Sequence, residues 1–146
     1  MSAPYEVRDV AYYFLQKADP DAGDLISPAH VHLLLYYAQG CHLAIHGAPL
    51  FRDDVVAGAD GPRVPALANL GPPDKAPSIP ATFDAAGIFT ADTMELLDEV
   101  YITYGQFTTW KLRELAQGEP PWQNTPTDQV VAPDVLRTYF QTQLTD

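Results

Sequence analysis

The chain has 146 residues, 47% hydrophobic and 18% charged, which is the size and mix of one soluble globular domain. Eight Lys and Arg against nineteen Asp and Glu leave a formal charge of −11, and the basic residues are scattered from Arg8 to Arg137, so the basic stripe that direct nucleic-acid binding requires is missing. One cysteine, Cys41, excludes an internal disulfide. It suits a reducing compartment, and the opening MSAPYEVRDV, without a charged-then-apolar leader, sets the same expectation of a cytoplasmic protein.

Val7, Val10, Ala11, Phe14 and Ala18 recur at three and four residues, which predicts a first amphipathic helix closed by DPDAGD at 19–24. Ser27 followed by Pro28 is a helix entry, with the serine oxygen able to accept from a free backbone N–H and proline giving up an N–H that had no partner. Gly47 is the residue that most easily turns left-handed just past a helix, so 28–46 is expected as one long helix. Val31, Leu34, Leu35, Ala38, His42 and Ile45 form a stripe on it, while Leu33, Tyr36, Leu43 and Ala44 cover much of the rest. A helix apolar almost all round is buried. Its longest uninterrupted apolar run, 33–38, is far short of the roughly 20 residues a membrane span needs.

Glycines and prolines then break 47–71 into short pieces, with an extended segment expected within 50–57 and a helical turn or two in VPALANL. The four prolines of 71–87 predict a surface loop, long enough to be functional or mobile. Thr90 is placed to cap a helix carrying Met94, Leu97, Tyr101 and Tyr104 on one face, and Thr108 to cap another carrying Trp110, Leu112 and Leu115, stopped by Gly118 and the Pro120-Pro121 pair. A last helix begins near Pro133 and presents Val135, Leu136, Tyr139 and Phe140. The expected fold is mainly α: a compact single domain over 1–146, with about five or six helices around a buried central one and one short extended segment near 50–57.

Catalytic templates are absent: there is no GxxxxGK[ST], GxGxxG after a strand, GxSxG, HExxH or paired CxxC. All four histidines lie in 30–46, but His32 and His42 would be roughly 15 Å apart along one helix and cannot share an ion. Only His42 and His46 face one side, and two imidazoles are half of a zinc site at best. His42 on the apolar stripe reads as a hydrogen-bonded core residue, and Cys41 beside it as a small core residue. Asp53, Asp54 and Asp60 lack the DxDxDG rhythm of a calcium loop. Asp60-Gly61-Pro62 reads as a tight turn, where an exposed carboxylate is also able to serve binding. No catalytic, cofactor or metal residue is assigned.

In this order, VAYYFLQKA (10–18), LLLYYAQGCHLAIHGAPLF (33–51), AGADGPRVPAL (57–67), LLDEVYITYGQFTTWKLRELAQGEPPW (96–122) and VLRTYF (135–140) resemble the SocA-like, or Panacea, antitoxin domain, a family that includes phage-associated proteins. The resemblance covers nearly the whole chain outside the proline loop. Departures fall at Leu33, where the family usually has lysine; at Cys41 and Gly58, where it has tryptophan; and at Ala116 and Gln117, where it has a Thr-His pair.

The resemblance implies a non-enzymatic protein that binds and neutralises a cognate toxin protein, encoded beside it, in a toxin–antitoxin or phage-related system. Tryptophans and tyrosines near turns serve as interface anchors as well as core residues. Asp60, Gly61, Pro62, Tyr37, Trp110 and Trp122 are accordingly the partner-binding candidates, although Trp122 reads first as core, and Tyr36 and Tyr37 as structural residues pointing to different faces. Two alternatives stay open: a small metal-assisted hydrolase using the His or Asp groups, and a proteolytic adaptor or phage-derived scaffold without a toxin partner.

Overall fold

The computed structural model describes residues 3–18, 26–70 and 77–143. Among these lie seven helices: α1 (Val7–Lys17), α2 (Pro28–His46), α3 (Ala85–Ile88), α4 (Ala91–Tyr104), α5 (Thr109–Gln117), α6 (Pro120–Gln123) and α7 (Pro133–Gln143). Two of them, α3 and α6, are single turns, which leaves the five longer helices that the periodicity predicts. The same described residues hold an antiparallel hairpin of β1 (Val56–Gly58) and β2 (Gly61–Arg63) and a 3-10 turn at Pro65–Leu67. The fold is mainly α.

The central helix forms as its ends dictate. The Ser27 hydroxyl accepts from the His30 N–H at 3.3 Å, Pro28 takes the first helical position, and Gly47 at φ 70° closes the helix with its N–H on the Leu43 carbonyl. Thirteen of its nineteen residues are buried, so the α2 axis is the core itself. It is wrapped by α7, α4, α5, α1 and β2. The close approach of α7 depends on Gly40, where a side chain would collide with the ring of Phe140. The buried apolar residues form one cluster running from Tyr5 to Phe140.

Ile45 departs from the expected stripe. It is 54% exposed, because the last turn of α2 runs past the elements that wrap its middle. On α4 the buried set is Thr93, Leu96, Leu97 and Val100 rather than the expected Met94, Leu97, Tyr101 and Tyr104, which are only partly covered apart from Leu97. The apolar letters on that helix are spread widely enough that α1 and α2 select a face about one residue away. Thr90 and Thr108 cap α4 and α5 as expected, accepting from the Thr93 and Lys111 N–H groups.

The expected extended segment is real but displaced. Phe51 bridges Tyr5, and the hairpin proper begins only at Val56, after Gln39 has fastened 50–51 to α2 with bonds of 2.9 Å to the Phe51 carbonyl and 2.8 Å from the Leu50 N–H. A buried glutamine satisfies three backbone groups there, and Tyr5 takes the fourth by donating its N–H to the Leu50 carbonyl. The DPDAGD stop at 19–24 and the first part of the proline loop, 71–76, lie outside the described residues. The end of that loop is helical: α3 covers 85–88, with Phe83 packing edge-on against Tyr12 at 5.6 Å. Among the described residues no helix is long and apolar enough to cross a membrane.

Candidate functional site

The hairpin tip is where sequence and structure meet. Val56 pairs with Arg63, Ala57 with Pro62 and Gly58 with Gly61, leaving Ala59 and Asp60 as a two-residue turn. The tight turn expected over Asp60-Gly61-Pro62 is therefore one step earlier, with Gly61 and Pro62 already in β2. Gly61 adopts φ 141°, open to glycine and strained for any other residue. Pro62 has no N–H to donate, and it sits opposite Ala57 without loss because the hydrogen bonds of Ala57 run the other way: its N–H donates to the Gln129 carbonyl and its carbonyl accepts from Asp128. Residues 128–131 thus act as a third edge beside β1, with Val56 bridging Val130.

Three side chains clamp the tip. Trp122 donates from Nε1 to the Gly58 carbonyl at 2.9 Å, Gln117 donates from Nε2 to the Asp60 carbonyl at 2.9 Å, and His32 Nδ1 accepts the Val64 N–H at 3.0 Å. To accept at Nδ1 the His32 ring must be neutral. Burial lowers its pKa, as does neighbouring Arg63, against an opposing hydrogen bond to the backbone of Leu67.

Beside the tip lies a pocket of about 430 Å³, lined among others by His32, Leu33, Asp60, Arg63, Arg113 and Asp128. Arg63 faces Asp128 at 3.7 Å, whereas Arg113 belongs to none of the ion pairs among the described residues. Trp110, Arg113 and Gln117 stand three and four apart on α5 and so share a face, and Trp110 is 67% exposed. Leu33 and Gly58 line the pocket and Gln117 holds its rim, so three of the positions at which the chain departs from the resembled family converge here. A Cβ at position 58 would lie 2.8 Å from the Gly61 carbonyl oxygen, so the hairpin is closed around this glycine.

The six partner-binding candidates separate into two places. Asp60 is exposed at the tip, Gly61 and Pro62 are buried beneath it, Trp122 is half-buried holding it, and Trp110 is exposed on α5. Tyr37 is elsewhere, wholly buried, with no surface to offer a partner directly.

Tyr37 belongs to a cluster that sequence reasoning missed. Tyr36 and Tyr37, expected to diverge, donate to the two oxygens of one carboxylate, Glu119, at 2.9 and 3.2 Å, and Tyr139 bonds the same group. Their rings meet edge-on at 4.9 Å, and Tyr104 stacks on Tyr37 at 3.9 Å. Adjacent residues leave a helix about 100° apart, but the two carboxylate oxygens let long phenols converge at their tips. Burial raises the pKa of Glu119, outweighing the three hydrogen bonds that pull it down. Burial and the Glu119 charge push the Tyr139 hydroxyl up to about 12 and the Cys41 thiol up to about 11, so Cys41 is a protonated thiol and a poor nucleophile near neutral pH. Glu119-Pro120-Pro121-Trp122 closes the 96–122 stretch of the resemblance, yet nothing in it announces a buried acid. The available signal was a carboxylate wedged between a helix stop and two prolines, with no cation near it in sequence.

The histidines stay apart as their spacing demands. The His42 and His46 rings lie 4.6 Å apart, tilted by 46°, but the Nδ1–H of His42 donates to the Ala48 carbonyl, as expected of a core histidine. Among the described residues no three His, Cys, Asp or Glu side chains gather in a way that would hold a metal ion.

Comparison with curated proteins and with solved structures found no match. A family model, antitoxin SocA-like, Panacea domain, matches residues 33–123. That stretch runs from the pocket-lining Leu33 in α2 through the hairpin to the end of α6, taking in Gln117 and Trp122 of the clamp and the tyrosine-bound carboxylate, and on this match the chain belongs to the SocA-like antitoxin family of the Panacea domain.

Proposed function

We propose that this chain, as a single domain over 1–146, is a non-enzymatic cytoplasmic antitoxin that binds and neutralises a toxin protein encoded by a neighbouring gene. The observation that carries the reading is the hairpin pocket: an exposed Asp60 carboxylate, Arg113, which is in no ion pair among the described residues, and an exposed Trp110 on the same face of α5. An aromatic and an arginine beside a pocket are the residue types that carry most binding energy at protein interfaces. Gly61, Pro62 and Trp122 shape this face, and Tyr37 supports it from within through Glu119.

Co-expression tests the reading. The neighbouring protein should arrest growth alone, grow normally with this chain and co-purify with it. Asp60→Ala combined with Arg113→Glu should melt within about 1 kcal/mol of the parent, as surface changes do, and lose rescue. A neighbour that is harmless alone, or rescue by the double variant at full strength, would remove the proposal.

A further inference from the structure

A second groove, at the other end of α2, has a different character. It encloses about 500 Å³ between the last turn of α2 and α4. Its floor is Leu96 and Val100, and one wall carries Ile45, the residue of the α2 stripe left in solvent. Its rim is Asp92, Glu95 and Glu99, exposed side chains one turn or less apart along α4. None of the three is in an ion pair among the described residues, and the groove is lined by no Lys or Arg; its one basic-type side chain is His46. Asp98, on the flank of the same helix that meets α1, contrasts with them, having Lys17 at 2.8 Å and the Tyr13 hydroxyl at 2.6 Å. Where α4 packs on its own domain its acid is neutralised; where it borders the groove three acids are not.

We propose that this groove is a docking surface for a basic amphipathic helix of a partner protein. Charge complementarity selects the occupant: an apolar floor flanked by unneutralised carboxylates matches a helix with apolar residues at i, i+3 or i+4 and i+7 and Lys or Arg along one flank. Asp92 to Glu99 spans about 10 Å of helix axis, so the matching segment is two to three turns long. The surface is separate from the Asp60 pocket and does not depend on the antitoxin reading.

The probe is a synthetic 18-residue helix with leucines in that pattern and lysines beside them, labelled and titrated with the purified full chain by fluorescence anisotropy, against a scrambled peptide of identical composition. The patterned peptide should bind at least tenfold tighter than the scrambled one. Glu95→Lys with Glu99→Lys should weaken it tenfold or more, and Ile45→Ser, at a half-exposed site that leaves the core alone, several-fold. Asp53→Lys with Asp54→Lys changes the net charge equally but lies off the groove, and should leave binding within twofold. Equal losses in both charge-reversed pairs would mean only net charge attracts the peptide, and equal binding of the scrambled peptide would mean the groove does not read a helix; either result overturns the proposal. So would a dimer of the chain alone that Glu95→Lys with Glu99→Lys dissociates, since the occupant would then be a second copy.

Discussion

Replacing Glu119 by alanine strips the acceptor from two phenols that have no access to water. Tyr36 and Tyr37 are wholly buried and both donate to this carboxylate, while the half-buried Tyr139 is able to turn to solvent. A buried donor left without a partner costs about 1–3 kcal/mol, so the pair costs about 2–6 kcal/mol. Removing an ionised carboxylate from a desolvated position returns part of this, which brings the expected loss at pH 7 to about 2–4 kcal/mol, or roughly 5–15 °C in Tm for a chain of this size. Glu119→Gln keeps one acceptor oxygen and adds an amide donor for the second phenol, so it should stay within about 1 kcal/mol of the parent. Its pH dependence should differ from the parent in a defined sense. The folded-state pKa of Glu119 is raised above its ordinary 4.5, so the folded state holds its proton more tightly. The associated stability is full below the ordinary value and is lost as pH rises through the raised one, so the parent gains on the Gln variant toward pH 4 and loses on it toward pH 8. Urea unfolding of the three proteins at several pH values measures this. An alanine variant within about 0.5 kcal/mol of the parent would refute the claim that the phenols depend on the carboxylate.

Leu35→Asp should abolish cooperative unfolding and give an unfolded circular dichroism spectrum, because Leu35 has no exposed surface and a carboxylate there would be buried unpaired. Gly40→Ala should destabilise by about 1–3 kcal/mol in urea unfolding, since the methyl meets the fully buried Phe140 ring and α7 must shift away from α2. Asp98→Asn should cost about 0.5–1 kcal/mol at pH 7, modest because the ion pair with Lys17 is partly exposed. Burial raises the Asp98 carboxyl but the Lys17 ammonium and Tyr13 hydroxyl outweigh it, leaving its pKa below the ordinary 3.8. Its contribution is present above that value and lost as pH falls through the lowered one, so the gap between parent and Asn variant should close in acid.

The central helix was legible because its signals are local: a capping serine, a proline at the first position, a glycine past the end and apolar residues in between. The caps of α4 and α5 were legible for the same reason. What needed coordinates was set by neighbours. The α4 stripe offered more than one apolar face, and packing against α1 and α2 chose between them. Ile45 belongs to the stripe by spacing and is exposed because none of the described residues covers that side of the last turn of α2. The hairpin begins six residues after the start of the expected extended segment because Gln39 and a single bridge from Tyr5, not a paired strand, satisfy the backbone at 50–51. Of the candidate site, Asp60, Gly61 and Pro62 were visible as turn chemistry, and Trp110 and Trp122 as aromatics near turns. Arg113 and Gln117 were not, since nothing in a helical sequence tells which exposed polar residue a distant hairpin will meet.

The buried carboxylate and the hairpin pocket are one mechanical unit. Glu119 sits at the joint between α5 and α6, and its bonds to Tyr36, Tyr37 and Tyr139 fix that joint against α7 and the buried central helix α2. Two residues before it Gln117 reaches the Asp60 carbonyl, and three residues after it Trp122 reaches the Gly58 carbonyl, so two of the three clamps on the hairpin radiate from the anchored joint. Pro120 and Pro121 stiffen the step between them, because proline removes the φ freedom that would let one clamp move without the other. A binding face on a two-residue turn has little rigidity of its own, and an interface gains affinity when its geometry is fixed before the partner arrives. The burial of a charge without a cation, which weakens the fold, is thus the feature that ties the position of Asp60 to the core rather than to the loop that carries it.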